Sequence, residues 1–164
     1  MGSIHREAEF VARDRNRLAP CRARHKRYLG QVIKALFPHA AMSHGITVRV
    51  TASFLPEQSQ PESARWFWIY HVRIENGSDE TVQLRSRHWR ITDGRGGVSI
   101  VDGEGVVGEQ PVLVPGQAHD YVSGCPLDTP HGSMEGFYTF ESEDGSPLEV
   151  RIPFFPLAAP ATAN

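Results

Sequence analysis

The chain has 164 residues, of which 40% are hydrophobic and 22% are charged, with a formal net charge of −2, so one domain with a real core is expected. No apolar run approaches the roughly 20 residues that span a bilayer, which argues against membrane insertion. Cys21 and Cys125 lie far apart and match no disulfide or zinc spacing, which favours the reducing cytoplasm.

The charge is unevenly distributed along the chain. Residues 1–41 carry nine Lys/Arg and three Asp/Glu, whereas residues 42–164 carry eight and sixteen. A basic extension of this kind is a solvated tail, a targeting segment or an arm for nucleic acid, and no other segment suggests nucleic-acid binding. Its first part is polar and predicts disorder, and helical spacing predicts a short helix over residues 28–37, which Pro38 ends.

Alternating apolar and polar residues begin at Ile46 and predict a half-buried strand that ends near Leu55. A second strand begins at Trp66. Its first half is apolar on both faces, so we expect it to be central in a sheet, with Trp68 facing inward. The following Asn76-Gly77 pair is a strong signal for a β-hairpin.

The return strand changes phase, because its inward residues have even numbers up to Leu84 and odd numbers from Trp89. A β-bulge within residues 85–88 would explain this change. Short strands with frequent turns follow, including a glycine-rich stretch from Gly103 to Gly136 and a final hairpin that Pro153 and Pro156 close. Together these elements predict an all-β fold, an antiparallel β-sandwich with fibronectin type III-like or immunoglobulin-like architecture.

Four motifs occur together and in order, namely SRHWRITD, GEGVVGEQP, SGCPLDTPHGSMEG and IPFFPL. They closely resemble the signature of the ApaG family, and the resemblance implies the same β-sandwich fold. It places a domain at residues 42–157, between the extension over 1–41 and a loose tail over 158–164. It also implies a bacterial protein linked to cobalt and magnesium tolerance and efflux. Related eukaryotic domains look like interaction modules, which implies a protein partner.

Gly103, Gly105 and Gly108 have the G-x-G-x-x-G spacing of a dinucleotide-binding loop. That loop needs a strand before it and a helix after it, and no helical pattern follows Gly108. Pyrophosphate binding at this motif is nevertheless part of what the family resemblance implies. The candidate counter-charges are three arginines near Trp89, namely Arg85, Arg87 and Arg90, which otherwise point outward and pair with acids.

The eight histidines show no H-x-H, H-x-x-x-H or H-E-x-x-H spacing, so the metal ligands are unknown and a Mg²⁺ or Co²⁺ site would have to be assembled by the fold. No pattern of residues specifies a reaction, and we expect no enzyme and no cofactor. Two hypotheses therefore stand: a non-enzymatic module that binds a protein partner, and a binder of pyrophosphate, nucleotide or divalent metal at the glycine-rich loop.

Overall fold

A computed structural model describes residues 31–161, which form nine β-strands in two antiparallel sheets. In chain order the strands are β1 (His39–Ser43), β2 (Ile46–Phe54), β3 (Trp66–Asn76), β4 (Val82–Asp93), β5 (Val98–Glu104), β6 (Val112–Leu113), β7 (Ala118–Leu127), β8 (His131–Glu141) and β9 (Pro147–Ala158). One sheet has the order β1-β2-β3-β7, and the other has the order β5-β4-β8-β9, with β6 pairing with β4. The predicted all-β sandwich is confirmed, whereas its likeness to fibronectin type III or immunoglobulin domains stays a prediction.

The core lies between the two sheets, because each strand turns one row of apolar side chains inward. Ile46, Val48 and Val50 of β2 have exposed fractions of 0%, and Trp68 of β3 is 1% exposed. The second sheet contributes large buried side chains from β4, β8 and β9, namely Trp89, Tyr138, Phe140 and Phe155. β3 lies between β2 and β7, so its predicted central position is confirmed.

The Asn76-Gly77 turn does not form the predicted hairpin, because it joins β3 in one sheet to β4 in the other. Asn76 is 1% exposed. Its Nδ2 donates hydrogen bonds to the carbonyls of Glu80 at 2.8 Å and Leu113 at 2.9 Å, and its Oδ1 accepts one from the Ser78 amide at 3.0 Å. The Asn76 side chain thus satisfies backbone groups where the chain crosses between the sheets, as Asn side chains also do in tight turns.

The phase change in β4 is a β-bulge, as predicted. The register with β8 shifts between Leu84 and Ser86, so Arg85 is the extra residue. Leu84 before the bulge and Trp89 after it both have exposed fractions of 0%. The bulge therefore lets both halves of the strand face the core.

The glycine-rich stretch from Gly103 to Gly136 contains longer strands than the sequence indicated. β7 has 10 residues and β8 has 11, and they are joined by a short turn at residues 128–130. β9 then continues through Pro153 and Pro156, which were expected to close the fold. Pro153 lies in a second register shift, between Ile152, which pairs with Gly136 of β8, and Phe155, which pairs with Met134, and a missing N–H group is tolerated there.

The domain begins earlier than the predicted boundary at Met42. β1 starts at His39 and pairs with β2, so that boundary falls inside a strand. The predicted helix is present at residues 31–36, and residues 1–30 and 162–164 lie outside the described part of the chain. Phe37 follows the helix, is 7% exposed and packs edge-on against His71, with 4.8 Å between the ring centroids. No helix among the described residues is long and apolar enough to cross a membrane.

Phe37 and β1 determine what truncation of the N-terminal residues should do. We expect deletion of residues 1–30 to leave the thermal midpoint within about 2 °C, whereas deletion of residues 1–41 lowers it by about 5 °C or more. The longer cut removes Phe37, whose burial contributes about 1.5–3 kcal/mol, and also the first part of β1. Calorimetry of both truncated chains beside the full chain measures the difference. Equal midpoints would show that β1 and Phe37 add nothing to the domain.

The turn between β8 and β9 depends on an ionised carboxylate. Asp144 Oδ1 accepts a hydrogen bond from Ser142 Oγ at 2.6 Å and another from the Ser146 amide at 2.9 Å. These bonds, that from Ser142 first, lower the pKa of Asp144 from 3.8 to about 2. Since the charged form is favoured in the folded state, its contribution to stability is complete above pH 3.8 and is lost as the pH falls toward 2.

We therefore expect Asp144→Asn to flatten the acid dependence of stability. Between about pH 4 and pH 2 the thermal midpoint of the variant should fall less steeply than that of the parent chain, because the variant has no carboxylate to protonate. Circular dichroism melts at several pH values measure both slopes. Parallel slopes would mean that other carboxylates carry the acid dependence.

Candidate functional site

The predicted phosphate loop lies at the end of β5, where the chain turns toward β6. Gly105 has φ +59° and Gly108 has φ +75°, both in the left-handed region that favours glycine. Gly103 belongs to β5 itself and pairs with Arg87 of β4. Two of the three predicted glycines are therefore explained by the turn, and the third by a close approach within the sheet.

Amide groups of this loop are used within the protein. The Gly105 amide donates to the Arg85 carbonyl at 2.8 Å. The Val106 amide donates to the Glu109 carbonyl at 2.8 Å, and the Glu109 amide donates back to Val106 at 3.0 Å. A phosphate cradle instead aims several amides at one point outside the loop, usually at a helix N-terminus. These hydrogen bonds hold the loop closed on itself.

Arg87 holds the loop rather than facing a ligand. Its Nη1 donates hydrogen bonds to the carbonyls of Glu104 and Gly105, each at 2.9 Å. A Cβ atom on Gly103 would lie 2.8 Å from the Arg87 guanidinium carbon. The absence of a side chain at Gly103 therefore makes room for the Arg87 guanidinium group. The glycine-rich motif and the predicted arginine are therefore brought together, with the arginine in a structural role.

Arg85 and Arg90 pair with acids, as the outward interpretation of the cluster predicted. Arg85 Nη2 lies 2.9 Å from Glu141 Oε1, and Arg90 Nη1 lies 3.0 Å from Glu135 Oε1. The hydrogen bond from Arg85 lowers the pKa of Glu141 below its ordinary value. The three arginines thus lie on one strand without converging on a common anion.

Carboxylates surround the loop. Asp102 and Glu109 have side chains that are 69% exposed, and Glu104 is exposed as well. A carboxylate about 6 Å from a phosphate charge opposes it by roughly 0.7 kcal/mol in water and about 2.8 kcal/mol at an effective dielectric of 20. The electrostatics of this loop therefore disfavour an anion.

We expect pyrophosphate and nucleotides to bind the full chain with dissociation constants no tighter than about 10 μM, if they bind at all. The reason is that loop amides already donate hydrogen bonds within the protein and the three arginines already bind carbonyls or acids. The carboxylates around the loop also repel an anion. Isothermal titration with sodium pyrophosphate and with ATP tests this. Tighter binding that disappears in Arg87→Ala, with the fold intact by circular dichroism, would show that the loop is a phosphate site after all.

Three histidines of the described residues each lie beside one carboxylate. His71 Nε2 lies 2.9 Å from Asp120, His88 Nδ1 lies 2.6 Å from Asp102, and His119 Nε2 lies 3.8 Å from Glu109. Within residues 31–161, no three His, Cys, Asp or Glu side chains come together in a way that could hold a metal ion. Each pair joins one imidazole to one carboxylate across neighbouring elements.

An apolar strip was not predicted as a functional feature. Val98 and Ile100 on β5 are 48% and 50% exposed, and Val112 on β6 is 52% exposed. β5 pairs with β4 and is the first strand in its sheet order, so its other side is a free edge within the described residues. We call residues 98–104 with this free side the β5 edge. The sequence indicated a strand here but not that its apolar residues face outward.

A groove lies at the end of the sandwich where β2 and β3 are connected. This connection contains two short 3₁₀ turns, Pro56–Gln58 and Pro61–Ser63. The groove has a volume of about 590 Å³ and is bounded mainly by proline and aromatic side chains, namely Phe54, Pro56, Pro61, Trp66, Pro130 and Pro160. We call it the proline groove. It is formed by three separate segments of the chain, so no local sequence pattern could predict it.

Two antiparallel sheets around an aromatic core, with a glycine-rich loop held by an arginine, define a small β-sandwich protein. The family model described as the ApaG domain matches residues 56–142. The ApaG proteins of Rhodospirillum centenum and Methylobacterium sp. (strain 4-46) are 53% and 52% identical to this chain over 122 residues. Each match covers 74% of this chain and 94% of the relative. A crystal structure of an ApaA protein from Bordetella pertussis is 47% identical, with a TM-score of 0.69, and the match covers 76% of this chain and 100% of that one. The chain belongs to the ApaG family.

Proposed function

We propose that this ApaG-domain protein is a non-catalytic module that binds a protein partner at the β5 edge. The observation that carries the proposal is the half-exposed pair Val98 and Ile100 on a strand with a free side. Unpaired edge strands with exposed apolar residues readily accept another strand, and proteins normally protect them against this. The part of β5 from Val98 to Ile100 contains neither a charged residue nor a proline, and it is here that we place the partner.

The other sheet ends at β7, and its edge differs in character. β7 carries Asp120, which forms ion pairs with Arg73 and His71, and it also contains Pro126, which has no amide hydrogen to offer. Proline is one of the means by which edge strands are kept unpaired, and β5 contains none. The contrast supports β5 as the strand that accepts a partner.

The charges near β5 indicate the chemistry of that partner. Asp102 and Glu104 follow Ile100 on the same exposed face of the strand, and Glu109 lies in the next loop. Ion pairs at the rim of an interface mainly steer association and set its register, while apolar contacts at the centre contribute more of the affinity. We infer an extended partner segment in which apolar side chains cover Val98 and Ile100, followed by lysine or arginine opposite the acids.

Selection from a displayed library of random peptides tests this proposal with the full chain. We expect enriched peptides that combine apolar and basic residues, and a loss of affinity of about tenfold or more when the chain carries Ile100→Lys. Phe154→Lys is the matched control, because Phe154 is 52% exposed on β9 and lies in another strand. Hydrogen exchange should slow at residues 98–104 when the peptide binds.

Two results would count against the proposal. One is that selected peptides bind Ile100→Lys as tightly as the parent chain. The other is that binding protects amides elsewhere and leaves those of β5 unchanged. Either result would remove the β5 edge as the binding surface, since strand addition requires its backbone groups.

A role in cobalt and magnesium tolerance, implied by the family resemblance, is proposed to act through the partner at the β5 edge. On this view a strain that carries Ile100→Lys should be as sensitive to cobalt as a strain without the gene. Calorimetric titration of the full chain with MgCl₂ and CoCl₂ should show no binding tighter than about 1 mM. Full resistance of the Ile100→Lys strain would separate metal tolerance from this edge.

A further inference from the structure

We propose that the proline groove binds an extended, proline-rich segment of a partner protein that carries a lysine or arginine beside its prolines. The groove is formed by the connection between β2 and β3, the turn before β8 and the residues after β9. It is independent of the β5 edge, which lies on different strands, and does not rest on the function proposed for that edge.

The walls of the groove have the chemistry that recognises polyproline II helices. Four of the residues named above are prolines, and Phe54 and Trp66 supply partly buried aromatic rings. Proline-rich segments dock in aromatic-lined grooves because their rings pack on flat apolar surfaces while their backbone keeps an extended shape. Proline and aromatic walls therefore match a segment of the same character.

The openness of the groove favours a chain segment over an enclosed small molecule. Pro56, Pro61, Pro130 and Pro160 are all exposed, so the walls stand at the surface. A small ligand usually buries about 70–90% of its own surface in its pocket. A polyproline II segment can instead place one side in a shallow groove and leave the other in water, because its backbone needs no internal hydrogen bonds.

Hydrogen bonds hold the groove in shape before any ligand arrives. Ser59 Oγ donates to the Leu55 carbonyl at 2.9 Å and accepts from the Phe67 amide at 3.0 Å. The Ala159 amide donates to the Pro130 carbonyl at 2.8 Å, which fixes the segment that contains Pro160. A groove that is already ordered loses less conformational freedom on binding, so a short segment can bind with useful affinity.

The connection that contains the two 3₁₀ turns and borders the groove is acidic. Glu57 follows Pro56, Glu62 follows Pro61, and both side chains are exposed. Arg65 is the one exposed cation in the same connection. The balance of charge therefore favours a segment with a basic residue, while the exposed His131 imidazole can hydrogen-bond to a backbone carbonyl of the segment.

The test uses two synthetic peptides and the full chain. One peptide has about twelve residues with repeated P-x-x-P spacing and one arginine, and the control has alanine in place of every proline. We expect the first to bind with a dissociation constant near 100 μM or tighter and to change the fluorescence of Trp66, and the control to bind at least about tenfold more weakly. Trp68 and Trp89 are buried, so they should contribute little to the change.

Variants locate the binding. Trp66→Ala should weaken binding about tenfold or more, and Pro61→Ala, at an exposed position, tests the groove if Trp66→Ala does not fold. Glu57→Gln with Glu62→Gln should weaken binding severalfold and reduce its dependence on salt. Val114→Lys, at a position that is 51% exposed between β6 and β7, should leave binding unchanged.

Three outcomes would overturn the proposal: no binding up to about 1 mM, equal binding of the alanine control, or equal binding by Trp66→Ala and Pro61→Ala. Sedimentation of the full chain over a range of concentrations adds a fourth. If the parent chain formed a dimer and Trp66→Ala were monomeric, a second copy of the chain, rather than another protein, would occupy the groove. None of these outcomes bears on peptide binding at the β5 edge, so the two proposals can fail separately.

Discussion

Replacing Trp68 with alanine is expected to destabilise the domain by about 3–5 kcal/mol, which lowers the thermal midpoint by roughly 6–20 °C for a chain of this size. The side chain is 1% exposed and packs edge-on against Phe54, with 5.5 Å between the ring centroids. Its buried Nε1 has no hydrogen-bond partner in the described part of the chain. The cost therefore comes from lost apolar packing and from the cavity that remains.

Arg73→Ala is the matched control on the same strand, and its expected effect is within about 1 kcal/mol. Arg73 pairs with Glu75 at 3.0 Å and with Asp120 at 2.5 Å. Both acids keep another partner when it is removed, because Arg49 lies 3.1 Å from Glu75 and His71 lies 2.9 Å from Asp120. Urea unfolding of both variants measures the difference. Equal effects would mean that the inward and outward faces of β3 are wrongly assigned.

Strand faces were predictable because the period of a strand is two and burial follows it. The alternation from Ile46 placed the inward residues of β2 correctly, and the phase change after Leu84 placed the bulge within residues 85–88, where the structure has it at Arg85. Both inferences use neighbouring residues on one strand. They require no knowledge of which strands pair.

Pairing between distant segments was beyond the reach of the same arguments. Asn76-Gly77 has the composition of a hairpin, but its destination depends on whether β4 pairs with β3 or with β8, and β8 lies some fifty residues further on. The sequence of His39–Ser43 shows no alternation of apolar and polar residues, and the family resemblance placed the start of the domain at Met42, inside β1. The destination of Asn76-Gly77 is thus decided by long-range pairing, whereas β1 pairs with its neighbour β2.

The features of the candidate site were likewise predictable only where they depend on residues that are neighbours in the sequence. The Gly103–Gly108 turn and the outward pairing of Arg85 and Arg90 were predictable from local composition. That Arg87 holds the loop was not, because its contact with Gly103 depends on the register between β4 and β5. The β5 edge and the proline groove depend on which strands end a sheet and which turns meet, and these are properties of the assembled fold.

Gly105→Ala is expected to cost about 3 kcal/mol or more, whereas Gly108→Ala should cost about 1–2 kcal/mol. Both glycines have positive φ, so alanine is strained at either position. At Gly105 an added Cβ would also lie 2.1 Å from the Glu109 carbonyl oxygen. This oxygen is held in place because it accepts a hydrogen bond from the Val106 amide. At Gly108 no atom of the described residues, other than those of Gly108 and its two chain neighbours, lies within 4 Å of the added Cβ, so strain alone remains.

The pair of variants separates backbone strain from steric conflict in one loop, and chemical unfolding of both without any ligand measures each. Moving the Glu109 carbonyl away from the added methyl group would break its hydrogen bond with the Val106 amide. The Val106 side chain is 1% exposed and belongs to the core. The loss should therefore spread from the loop into the sandwich and appear in the global unfolding transition. If Gly105→Ala proved no more destabilising than Gly108→Ala, the loop would be able to shift away from the added methyl group. The close approach of Gly105 to Glu109 would then not be a requirement of the fold.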